Sequence, residues 1–132
     1  MRNILCLVAV GIICVLATGC ADPYENAVEE HISLLEKANV ILAGVEDAAS
    51  LKAAKPALEE LGEKMRDAAG RLKGLEAPSK DEEESLKAKY EKRTRDVAAE
   101  LLSHLTTIGT MKGGADLGRI FKGAVPKVVP KK

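Results

Sequence analysis

Residues 51–75 read LKAAKPALEELGEKMRDAAGRLKGL, and their spacing decides the fold. Leu51, Ala54, Leu58, Leu61, Met65, Ala68, Leu72 and Leu75 recur in steps of three and four without a miss. That is the a/d seam of a helix packed along one side, in the manner of a coiled coil. Pro56 lies inside the seam, so the helix either kinks there or begins near it. Upstream, Val28, Ile32, Leu35, Leu42, Val45 and Ala49 mark an earlier amphipathic helix, roughly 23–48. Asp22-Pro23-Tyr24-Glu25 reads as its start: Asp22 caps, Pro23 suits the first helical position, and Glu25 sits where a capping box wants it. Extending the first seam past Ala49 lands on Lys52, Pro56, Glu59 and Glu63, which are not core residues. The seam has jumped by about two positions, or roughly 200° around a helix. A turn between about 47 and 55 accounts for both the jump and the proline; a single bent helix is the alternative.

Downstream, Gly70 and Gly74 weaken the seam and Ala77-Pro78 stops it. Ser79-Lys80-Asp81-Glu82 is a capping box, with Glu83 and Glu84 adding negative charge where a helix dipole favours it. The third helix carries Leu86, Tyr90, Val97, Leu101, Leu105 and Ile108 on one face and ends near Gly113-Gly114. The connections are short, so neighbouring helices should be antiparallel. The expected fold is all-α: an antiparallel up-down-up three-helix bundle over 20–111, with helices at about 23–48, 51–74 and 80–111. A flexible basic tail, 112–132, follows it.

Composition agrees. The chain has 132 residues, with two Tyr, one Phe and no Trp. Such a chain favours helices over sheets and builds a thin Leu/Ile/Val/Ala core of modest stability. Its formal net charge is zero, yet Ala21–Met111 holds 13 Lys/Arg against 19 Asp/Glu, and Lys112–Lys132 holds 6 against 1. An acidic body with a basic tail marks that tail as a candidate for interaction.

The N-terminus bears on location. Met1-Arg2-Asn3 is a short charged region, and Ile4 to Leu16 is an apolar stretch without charge. It is too short to span a hydrocarbon core of roughly 20 helical residues, and it reads as a secretory signal over 1–19. Ala17-Thr18-Gly19-Cys20 resembles the lipobox of bacterial lipoproteins, with Gly19 at −1 and Cys20 at +1. The commonest −3 residue of that family is leucine; here it is Ala17, with Leu16 one place earlier. The resemblance implies a diacylglyceryl thioether and an acylated amine on Cys20, and so a membrane partner reached through lipid. Two or more buried chains anchor stably where one is marginal. Ala21 at +2 is not the aspartate of inner-membrane retention, which implies the outer membrane if the source is diderm. Cleavage would remove Cys6 and Cys14 and leave no disulfide. An ordinary signal cut near Gly19, with Cys20 a free thiol, is the alternative. The stretch Glu46 to Leu58 is similar to segments of small helical exported proteins of planctomycetes, a resemblance that carries no function with it.

The basic tail offers Lys112, Arg119, Lys122, Lys127, Lys131 and Lys132 for electrostatic contact with an anionic envelope polymer, lipid or protein. Ala115 to Lys122 can form an amphipathic turn or two, and Val125 to Lys132 reads as extended or disordered. Only Ala21 and Asp22 separate Cys20 from the first helix, so the bundle should sit on its membrane. In an up-down-up bundle the tail would then emerge at the opposite pole, roughly 40 Å away, facing away from the anchor. The terminal Lys131-Lys132 is similar to that of the murein lipoprotein, whose last lysine joins peptidoglycan, although that protein is one long helix.

Enzyme chemistry finds no support in the sequence. His31 and His104 lie on different helices and read as helix-flank residues, and a metal site needs three or four ligands. No metal and no cofactor is expected. Lys87, Lys89, Lys92, Arg93 and Arg95, interleaved with Glu91 and Asp96, read as a solvated face without the aromatics that bind single-stranded nucleic acid. Two readings stand: a membrane-anchored structural or adaptor lipoprotein that self-associates through its regular seam, or a small periplasmic ligand-binding or enzyme-inhibitor module. The second requires a cavity or an exposed apolar groove between helices.

Overall fold

The computed structural model describes residues 22–123, and all regular structure among them is helical. Helix α1 spans Pro23–Ala43, α2 Ala48–Gly74 and α3 Lys80–Gly109. A 3-10 turn at Gly114–Asp116 leads into a fourth, short helix α4, Leu117–Ile120. The expected N-cap of α1 forms, with the Asp22 carboxylate accepting from the Tyr24 N–H at 2.9 Å. The box at Ser79 and Glu82 forms as well.

The first two helices are separate, and α1 stops at Ala43 rather than near 48. Gly44 donates its N–H back to the Ile41 and Leu42 carbonyls, and Asp47 opens a second box with Ser50 (Ser50 N–H to Asp47 Oδ1, 2.7 Å). Ala49 therefore belongs to the first turn of α2 and is exposed instead of extending the first seam. Pro56 lies within α2 rather than at its start; lacking an N–H, it cannot satisfy the Lys52 carbonyl.

Helix α1 packs against both of its long neighbours. Arg71, in the last turn of α2, reaches Glu30, in the first half of α1, at 2.8 Å, so these two run antiparallel. Tyr90 reaches Glu25, Arg93 reaches Glu29, and Asn39 donates to the Val97 carbonyl at 3.0 Å. The partner numbers rise together, so α1 and α3 are parallel. Helices α2 and α3 do not pack along each other; the segment 114–121 lies between them. The core joins Leu35, Ala38 and Leu42 of α1 to Leu58, Met65 and Ala68 of α2 and to Val97, Leu101 and Ile108 of α3. Leu117 and Phe121 belong to the same cluster, at 1% and 4% exposure.

The reading of 112–132 as a flexible tail is thus corrected for its first dozen residues. Leu117 and Phe121 stand four apart on one helical face, and their burial, together with the Lys55–Asp116 pair and the Arg66 bond to the Ile120 carbonyl, docks the segment.

Candidate functional site

The C-terminal lobe is assembled at the end of α3. Gly113 adopts φ +87°, a left-handed conformation that reverses the chain after Met111. Gly114 then lies so close to the last turn of α3 that a Cβ there would sit 1.9 Å from the Ile108 carbonyl oxygen. From that reversal the chain runs along α2. Asp116 pairs with Lys55 at 2.9 Å. The Ile120 carbonyl accepts from Arg66 Nη1 at 2.9 Å and rests on Gly62, where a Cβ would meet it at 2.8 Å. The hydrogen bond from Lys55 and its charge hold the Asp116 carboxyl below the usual aspartate range.

The partners Lys55, Gly62 and Arg66 advance along α2 as the lobe advances from Asp116 to Ile120. The lobe therefore runs parallel to α2, back toward the end of the molecule where α1 begins. The expectation that the tail leaves at the far pole pointing away from Asp22 is corrected: the described chain ends on the flank of α2, heading back. Lys112, Arg119 and Lys122 are exposed on this lobe, and none of them forms an ion pair among the described residues. Lys127, Lys131, Lys132 and Cys20 lie outside the described residues.

A second feature is an open groove of about 580 Å³ between α1 and α2, lined by Val40, Ile41, Ala57 and Leu61 with Lys37 and Lys64. Val40 is 75% exposed there, an apolar side chain presented to solvent. The signal was in the spacing: Val40 stands two positions before Leu42, roughly 200° around the helix from the α1 seam.

The basic run of α3 divides in two. Lys92 and Arg95 pair locally, to Asp96 and Glu91, each at 2.6 Å, as a solvated face should. Lys89 and Arg93 instead cross to α1. Arg93 takes both carboxylate oxygens of Glu36, from Nε at 2.7 Å and Nη2 at 2.8 Å, and Glu29 at 2.6 Å from Nη1. Lys89 pairs with Glu25, which also accepts from the Tyr90 hydroxyl at 2.9 Å. These bonds, first the Arg93 guanidinium for Glu29 and Glu36 and the Lys89 ammonium for Glu25, lower all three carboxyls below the ordinary glutamate value of 4.5. A depressed carboxyl stabilises the fold above its unfolded pKa and loses that contribution as pH falls through the folded one. The thermal midpoint should hold steady above pH 4.5 and decline below it, with a shallower decline in Arg93→Gln, as read by far-ultraviolet circular dichroism. High salt should shrink the difference, because the pairs are partly exposed.

His31 is buried at 3% exposure, not on a helix flank. His104 lies far along α3, with Nε2 3.6 Å from Glu100. The parallel run of α1 and α3 keeps the two histidines apart, since residues near 31 face residues near 90. No group of three or more metal-ligating side chains occurs among the described residues. None of the described helices is long and apolar enough to cross a membrane.

No protein-family model matches the chain. No curated protein and no solved structure matches it either.

Proposed function

We propose that the chain is a membrane-anchored lipoprotein of the bacterial cell envelope, acylated on Cys20, with a structural or adaptor role and no catalysis. We read its helices as an up-down-up three-helix bundle, the open side between α2 and α3 being closed by the docked lobe. One observation carries the reading: the lipobox-like Ala17–Cys20 is followed, after Ala21 alone, by Asp22 in its role as the cap of α1. A lipid there would be joined to a rigid capped helix with almost no tether, so it would set the pose of the whole bundle. The outer membrane is the expected address in a diderm source. The exposed Lys112, Arg119 and Lys122 then serve as an electrostatic contact for an anionic envelope polymer or protein.

The full chain, expressed with an alkyne fatty acid, should take up label and fractionate with membranes. Cys20→Ala should lose the label and accumulate unprocessed or soluble. A wild-type chain that takes no label overturns the reading. Deleting 112–132 is an unsuitable test of the cationic contact, since it strips Leu117 and Phe121 from the core. Charge reversal at Arg119 and Lys122 leaves those anchors in place and should release envelope partners at lower salt.

The α1–α2 groove favours a second reading, a ligand-binding or inhibitor module that seats an apolar group over Val40. Val40→Glu should abolish in-cell crosslinks to a partner in that case and leave them unchanged in the adaptor reading through the lobe.

A further inference from the structure

The space between α2 and α3 is a receptor for a short segment with two apolar anchors, and the chain fills its own. Leu117 and Phe121 enter it, Gly62 leaves room for the Ile120 backbone, and Lys55 and Arg66 grip Asp116 and the Ile120 carbonyl. Every one of these contacts is between the lobe and the body. None depends on the two belonging to one chain.

The connection between them is short and sharply reversed. It reverses within Thr110–Gly113, using a left-handed glycine, and it brings Gly114 against the Ile108 carbonyl with no room for a side chain. Short, tight hinges of this kind are where elements exchange between identical chains. If the reversal straightens, α3 carries the segment outward, where a second copy offers the same receptor. The polar contacts are equally available between copies: Lys55 and Arg66 of one body would meet Asp116 and the Ile120 carbonyl of the other copy's segment.

We propose that segment 114–121 exchanges reciprocally between two copies of this chain, Leu117 and Phe121 of each completing the core of the other. The partner is a second copy, joined through the α2–α3 cleft rather than through the seam of α2. This stands independently of the lipid on Cys20, although confinement to a membrane would raise the local concentration that drives exchange.

Carbodiimide, which joins an amine to a carboxylate in direct contact, reports the exchange through the Lys55–Asp116 pair. Full-length chains of ordinary and heavy-nitrogen isotope are mixed, incubated, crosslinked and digested. Exchange yields Lys55–Asp116 peptides of mixed isotope, in a share that rises with protein concentration. Gly114→Ala, which cannot make the reversal, should raise that share several-fold. If Gly114→Ala does not fold, mixing Lys55→Asp with Asp116→Lys serves instead. Each alone faces like charges, while the exchanged heterodimer restores both pairs, so the two differently tagged chains should co-purify. Lys55–Asp116 peptides of single isotope at every concentration overturn the proposal. So do mixed-isotope links confined to other residues, which would place the contact between copies elsewhere.

Discussion

Phe121→Ala should lower the stability of the fold by about 3–5 kcal/mol and its thermal midpoint by more than about 10 °C. The expectation follows from its place and from the poverty of the core around it. Phe121 is 4% exposed and belongs to one cluster with residues of α1, α2 and α3. The chain has one phenylalanine and no tryptophan, and its buried tyrosine, Tyr90, is held by Glu25 near the start of α1, away from the end of α3 where the lobe docks. Helices α2 and α3 do not pack on each other there, and closing the cavity would require them to move together. Leu117→Ala, at 1% exposure, should cost about 2–5 kcal/mol for the same reason. If instead these residues belonged to a solvated tail, both changes would stay within about 0.5 kcal/mol. Thermal unfolding followed by circular dichroism separates the two cases without knowledge of function.

The three long helices were legible because their evidence is repeated. The α2 seam presents eight positions in register, and two of the three N-terminal caps are spelled out by Asp22 and by Ser79 with Glu82. The lobe was not legible because its evidence is two residues long. Leu117 and Phe121 sit four apart, too few to establish a period, among four glycines and six cations that read as solvated. What decides their docking is Gly62, on the flank of the α2 seam. In sequence it is one more weak helix former; in space it is the notch that admits Ile120.

The candidate site divides in the same way. The exposure of Lys112, Arg119 and Lys122 followed from composition. Their direction did not, because it turns on the left-handed Gly113 and the tight approach of Gly114. On α3, Lys92 and Arg95 took the local acids that sequence offers. Arg93 is no different in kind, but α1 brings it two carboxylates at once, and a bidentate pair outcompetes a local one. That choice belongs to the packing of α1 on α3 and is written in neither helix alone.

Gly62→Leu should show the notch by the sign of its effect. In the middle of α2, an exposed glycine replaced by leucine would gain about 1 kcal/mol of helix propensity. Here a Cβ alone would stand 2.8 Å from the Ile120 oxygen and 2.9 Å from its Cγ2, closer than real side chains approach. The oxygen belongs to the backbone and is held by Arg66, so it cannot yield as a side-chain tip would. The lobe must lift, and with it go the burial of Phe121 and the Lys55–Asp116 pair. The expected net result is a loss of about 2–4 kcal/mol, with faster proteolysis after Lys112, Arg119 and Lys122 than in the wild type. The loss has a ceiling, because a lobe can be undocked only once. Adding Phe121→Ala to Gly62→Leu should therefore cost far less than the sum of the two single changes. Full additivity would mean that Phe121 is held in the core by something other than the seat that Gly62 provides, and a stabilised Gly62→Leu would mean that the lobe does not sit on α2 at all.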